Sequence, residues 1–180
     1  RHSTPRGGVA IALALTRLPL TAAAAPLKVG ASVNDLASIA ASVGGDRVET
    51  AAIARATADV HHVEVLPSYM VRVSRAQVYL KVGLALDQWA DQIIDGSRNA
   101  KLRVVDCSRA IVPLDRAAGR VDGRAGDAHP EGNPHYWLDP RNGGLVARLL
   151  ADEFARLDPE GAAGYHQRAE AFAGACAARL

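Results

Sequence analysis

Residues 27–53 read LKVGASVNDLASIAASVGGDRVETAAI, and the fold is decided there. LKVGA is a short apolar run ending at Gly30 and Ala31. Residues 34–43 then repeat their apolar positions at helical spacing, Gly44-Gly45-Asp46 makes a turn, and residues 47–53 restart an extended run. Strand, helix, turn, strand is the unit of a parallel sheet. The same alternation continues outward. Residues 68–76 can form two helical turns, 77–83 (QVYLKVG) a strand, 86–94 a helix containing Trp89, and 102–105 a fourth short strand. These elements predict an α/β lobe with a doubly wound parallel sheet and with loops gathered at the strand C-termini. Lys81 sits awkwardly in QVYLKVG for a buried strand, which argues against a central place for it.

Beyond the fourth strand, residues 108–133 are irregular and rich in Gly, Asp, Arg and Pro, a length that points to a functional connection. A helix is expected over 141–157, broken by Asp158-Pro159. Over 160–180, Tyr165, Ala169, Phe172, Cys176 and Leu180 form an apolar stripe on a further helix. That stripe predicts half coverage, with its C-terminal part exposed unless the helix folds back on the one before it.

The chain has 180 residues, 49% hydrophobic and 22% charged, the profile of one globular domain large enough to hold a core without disulfide or metal. Three of its 21 basic residues fall in the first 25, which carry no acid, so the rest holds 18 basic against 19 acidic side chains. A net −1 with 4% aromatics leaves no electrostatic footprint for nucleic acid. The first 25 residues themselves read as a signal peptide: Arg1 and Arg6, an apolar stretch over 9–15, then small residues before Pro26. Arg17 interrupts what should be a longer continuous apolar region, and the stretch over 9–15 is too short to span a bilayer. The expected organisation is therefore a leader over 1–25, an α/β lobe over 26–157 and a final helix from 158 to 180. Cys107 and Cys176 are too few for a disulfide framework and read as two buried free thiols, although an oxidising compartment would let them pair.

Four of the six histidines lie in two loop segments, DVHHVEVLPS at 59–68 and DAHPEGNPHYWLDPRN at 127–142. Neutral imidazole is the commonest metal ligand, and Pro130, Pro134 and Pro140 would hold His135 in one orientation. Spacing alone leaves each as an ordinary surface histidine. No phosphate-cradling glycine pattern and no nucleophile elbow is present.

Together the two segments carry a family resemblance. DVHHVEVLPS is similar to the D-P-H-x-x-E-x-x-P-S signature of the metal-binding periplasmic solute-binding proteins of zinc and manganese ABC importers. NPHYWLDPRN resembles their second signature, P-H-x-W-L-D-P-x-N. Val60 stands where the first signature has Pro. The resemblance covers residues 27–180 and implies that His61 and His135 are metal ligands of an N-terminal lobe, with Glu64 behind them and His129 as an accessory that collects metal or simply lies in solvent. It further implies a second lobe, joined through a long helix beginning near Glu160 and supplying the remaining ligands, a lobe that these 180 residues lack. On this reading the chain is a monomeric component that captures Zn²⁺, with Mn²⁺ as the alternative, in the periplasm and passes it to an inner-membrane permease. It is not an enzyme. Nitrogen ligands favour Zn²⁺, and capture weakens in acid because imidazole must be neutral to ligate. Two other readings compete: a zinc hydrolase using Asp139 or Glu131, and an adhesion or docking module. If His61 and His135 share a tetrahedral Zn²⁺, their ligating nitrogens must lie roughly 3 to 3.5 Å apart.

Overall fold

The computed structural model describes residues 25–55, 57–116 and 129–180. Four strands, β1 (Leu27–Ala31), β2 (Val48–Ala52), β3 (Val78–Lys81) and β4 (Arg103–Asp106), form one parallel sheet in the order β2-β1-β3-β4. Among the described residues five α-helices accompany them: α1 (Asn34–Gly44), α2 (Pro67–Val73), α3 (Trp89–Ser97), α4 (Pro140–Leu157) and α5 (Ala162–Ala177). Among the described residues no helix is long and apolar enough to cross a membrane. The leader expected over 1–25 lies, but for residue 25, outside the described residues.

Side-chain alternation along the strands sorts the helices into two layers. Val29, Ala31, Val78 and Leu80 join one core with Leu36 and Val43 of α1, Leu150 and Phe154 of α4, and Tyr165 of α5. Tyr79 points the other way, into a second core with Val73 of α2 and Trp89 and Ile93 of α3. Gly30 leaves room for it, since a Cβ there would sit 2.9 Å from the Tyr79 ring. Both faces of the sheet are thus covered, the doubly wound arrangement anticipated from the alternating periodicity.

Two local expectations are corrected. β3 is a central strand, hydrogen-bonded to β1 and β4, because Lys81 occupies its last position and reaches out to Asp91 on α3. The α3 helix begins at Trp89 rather than at Leu86. Gly83, Leu84 and Ala85 all have positive φ (82°, 51° and 62°), so the chain makes a left-handed turn before helix can start.

The α5 helix folds back along α4. Its buried residues are Tyr165, Ala169 and Ala173, while Phe172 and Cys176 are only half-buried and Leu180 is exposed. The glycine pair in α4 explains the shift to Ala173: a Cβ on Gly144 would lie 3.0 Å from the Ala173 Cβ, and one on Gly143 would touch Phe172 and Cys176. Small residues on both sides bring the two helices close. An ion pair fixes the corner between them, with Arg47 donating from Nε to Asp158 Oδ2 (2.6 Å) and from Nη2 to Oδ1 (2.7 Å). The Tyr165 hydroxyl donates to the same carboxylate. These donors, Arg47 foremost, hold the Asp158 pKa down to about 2. Cys107 and Cys176 are free thiols, and burial pushes the Cys107 thiol far up, into an unreactive state.

Candidate metal centre

The loops after β2 and β4 start from opposite edges of the sheet and meet above its C-terminal end. There His61 Nε2 lies 3.2 Å from His135 Nε2. That separation falls within the range two nitrogens occupy on one tetrahedral ion, roughly 3 to 3.5 Å.

Each imidazole is set by the same local device. Asp59, two residues before His61, accepts the His61 backbone N–H through Oδ1 (2.9 Å), and Asn133, two residues before His135, accepts the His135 backbone N–H through its Oδ1 (3.0 Å). Such Asx turns fix the backbone of the third residue without help from secondary structure. The Asn133 oxygen also lies 3.2 Å from His135 Nδ1. An amide oxygen only accepts, so Nδ1 carries the proton and the lone pair of neutral His135 is on Nε2, the atom that faces His61. Asp59 instead spends its second oxygen on His62 Nδ1 (3.1 Å). The backbone N–H of His61, followed by the His62 contact, keeps its carboxyl below the usual range.

Beneath the histidines a buried polar cluster closes the ends of β1 and β3, the two neighbours from which the chain departs in opposite directions. Asp87, 1% exposed, accepts from Val82 N–H (2.7 Å) and Gly83 N–H (3.1 Å). Burial raises its carboxyl above the ordinary value against the opposing bonds from Ser32 and these amides. The Tyr79 hydroxyl lies 3.3 Å from Ser32 Oγ.

The other candidates take different places. The His129 ring lies 5.2 Å, centroid to centroid, from His61 and 6.3 Å from His135, beside a cavity of about 290 Å³ lined by Asp115, Asn133 and His135. Glu64 is exposed on the segment leading into α2. Among the described residues no three His, Cys, Asp or Glu side chains form a group able to hold an ion. Asp139 is the N-cap of α4, accepting from Arg141 N–H and pairing with the Arg141 guanidinium, and Glu131 is exposed. Missing from the sequence reading were the two Asx residues, although D-x-H and N-x-H stand in plain view, and Asp87.

A family model described as ZnuA, zinc-uptake complex component A periplasmic, matches residues 29–178. The chain belongs to that family. Among curated relatives, the manganese-binding lipoprotein MntA of Halalkalibacterium halodurans is 26% identical over 146 residues, covering 81% of this chain and 45% of that protein. The iron-binding protein YfeA of Yersinia pestis is 25% identical over 146 residues, covering 81% and 44%. The chain therefore spans a little under half the length of these relatives. A crystal structure of a zinc-bound ZnuA with residues 138–173 deleted superimposes with a TM-score of 0.72 at 26% identity, over 84% of this chain and 54% of that one. A manganese-bound S38A periplasmic metal-binding protein from Candidatus Liberibacter asiaticus shares the fold at 20% identity, with a TM-score of 0.69 over 82% and 52%. The chain thus corresponds to one lobe of these structures.

Proposed function

We propose that this chain is the ligand-bearing N-terminal lobe of an exported metal-capture protein, and that His61 and His135 bind a divalent first-row ion through Nε2 for delivery to a membrane permease. The 3.2 Å approach of the two Nε2 atoms carries the reading. Relatives are named for manganese and for iron, and solved neighbours hold zinc or manganese. Two imidazole Nε2 atoms at this separation favour Zn²⁺, whereas carboxylates contributed from elsewhere would move the preference toward Mn²⁺. Water or a second lobe fills the remaining positions, His129 lines the approach, and residues 158–180 begin the connection to that lobe. The ion is cargo, taken up by exchange of its waters for imidazole, and no catalytic step is assigned. Asp139 is committed to capping α4, which disfavours the hydrolase reading.

Calorimetric titration with Zn²⁺ tests this. Wild type should bind, weakly compared with a four-ligand site, and both His61→Ala and His135→Ala should abolish measurable binding while leaving the thermal transition in place. Unchanged affinity in both variants would remove the ion from this pair.

A further inference from the structure

The two histidine loops come from opposite edges of the sheet, yet both are tied to one short segment between them. Trp89 Nε1–H donates to the backbone carbonyl of Val60 (3.0 Å), the residue before His61. The Tyr136 hydroxyl, on the residue after His135, donates to the backbone carbonyl of Val82 (2.9 Å). Residues 82–89 therefore join the two ligand loops, each bond ending one residue from an imidazole.

That segment is a stiff reference. Gly83, Leu84 and Ala85 hold three successive positive φ values, a backbone that persists only where its surroundings over-determine it. The surroundings do so. Asp87 takes the N–H groups of Val82 and Gly83, Leu86 N–H returns to Gly83 O (3.1 Å), and Val82, Leu84 and Leu86 are buried. A Cβ at Gly83 would stand 2.2 Å from Asp106 Oδ1, so the turn has no room to relax toward β4.

Resting on the proposed metal role of the pair, we infer that the Val82 to Trp89 turn is a brace that sets the distance between the two imidazoles, and that Trp89 and Tyr136 are positioning residues for metal capture. Neither touches the ion. Each fixes the carrier of one ligand against a common origin, so the 3.2 Å separation is built before the ion arrives. Losing either bond frees one loop, and the ion must then order it on binding.

Trp89→Phe and Tyr136→Phe each delete one donor and keep an aromatic ring in the core. Zn²⁺ affinity of each, measured by competition titration well below the thermal transition, should fall about tenfold, the lower end of the loss typical when support behind a metal ligand is removed. The double variant should lose much less than the hundredfold product, because one loose loop already spoils the pair. Tyr165→Phe, which deletes a hydroxyl on α5 remote from the histidines, should lower the melting temperature and leave Zn²⁺ affinity within twofold. That contrast separates positioning from general destabilisation. Affinity within twofold of wild type in both single variants, with His61→Ala and His135→Ala still abolishing binding, would overturn the brace alone. Indifference of Zn²⁺ binding to the histidine variants would overturn the metal reading, and the brace with it. The two variants act on opposite loops, so failure of one to fold leaves the other as the test.

Discussion

The histidine end of the lobe and its helical flank are held by different means. Along the flank, α1, α4 and α5 close over the sheet through fully buried apolar residues such as Leu36, Leu150 and Phe154, with small residues at the α4–α5 contact and the Arg47 to Asp158 pair at the corner. At the histidine end, geometry comes from side chains bonded to backbone: Asp59 and Asn133 on the turns, Asp87 on the left-handed segment, Trp89 and Tyr136 on the carbonyls between them. Burial of apolar area is non-directional and sets stability. Hydrogen bonds are directional and set where an atom points. Substitutions on the flank should therefore change stability without changing metal affinity, and substitutions at the histidine end should do the reverse.

Phe154→Ala should give the largest effect, a loss of about 3–5 kcal/mol from an aromatic cavity in the main core, read by chemical denaturation. Zn²⁺ affinity of the folded fraction should stay within about twofold, and a large fall would break the comparison. Arg47→Met should lower stability at neutral pH, read by the same denaturation, and by less than the loss of a buried pair would, because Arg47 is partly exposed. Asp158 is held at about 2 in the folded chain, below the ordinary carboxyl value of about 3.9. Its contribution is thus fully present above about pH 4 and is lost as pH falls through about 2, so wild type and Arg47→Met should converge across that window.

Asn133→Ala tests the other side. It removes the acceptor that holds the proton on His135 Nδ1, and should weaken Zn²⁺ binding about tenfold, or about 1.4 kcal/mol, with the denaturation midpoint nearly unmoved. An equal loss of stability would show that this end also supports the fold. Leu138→Ser should do least. Leu138 is 75% exposed within the second histidine segment, and its replacement should change stability by less than about 0.5 kcal/mol.

What the sequence made legible follows the same division. The periodicities of LKVGA and of residues 34–43 are local signals, and β1 and α1 formed within a residue of their expected limits. The approach of His61 to His135 was anticipated from two sets of fixed neighbours, not from spacing. The left-handed turn at Leu84 and Ala85 was not legible, because neither residue favours positive φ and the cause is Asp87, whose carboxylate reaches back to amides four and five residues earlier. The central place of β3 was obscured by Lys81, whose polar end is accounted for by Asp91 ten residues on. The shift of the α5 stripe to Ala173 depends on Gly144, which only packing brings opposite. Local patterns announced the elements, while the positions that aim the imidazoles depend on partners distant in the chain.

The central claim is that the lobe presents two Nε2 atoms, already brought together, to one ion. The most direct measurement is ¹⁵N NMR of the imidazole nitrogens during Zn²⁺ titration of the full chain, with His61 and His135 assigned through their alanine variants. The expected result is a shift of both Nε2 resonances to metal-bound positions at the same stoichiometry, with His135 Nδ1 remaining protonated throughout. Coordination through Nδ1, or a response of only one of the two rings, would contradict it.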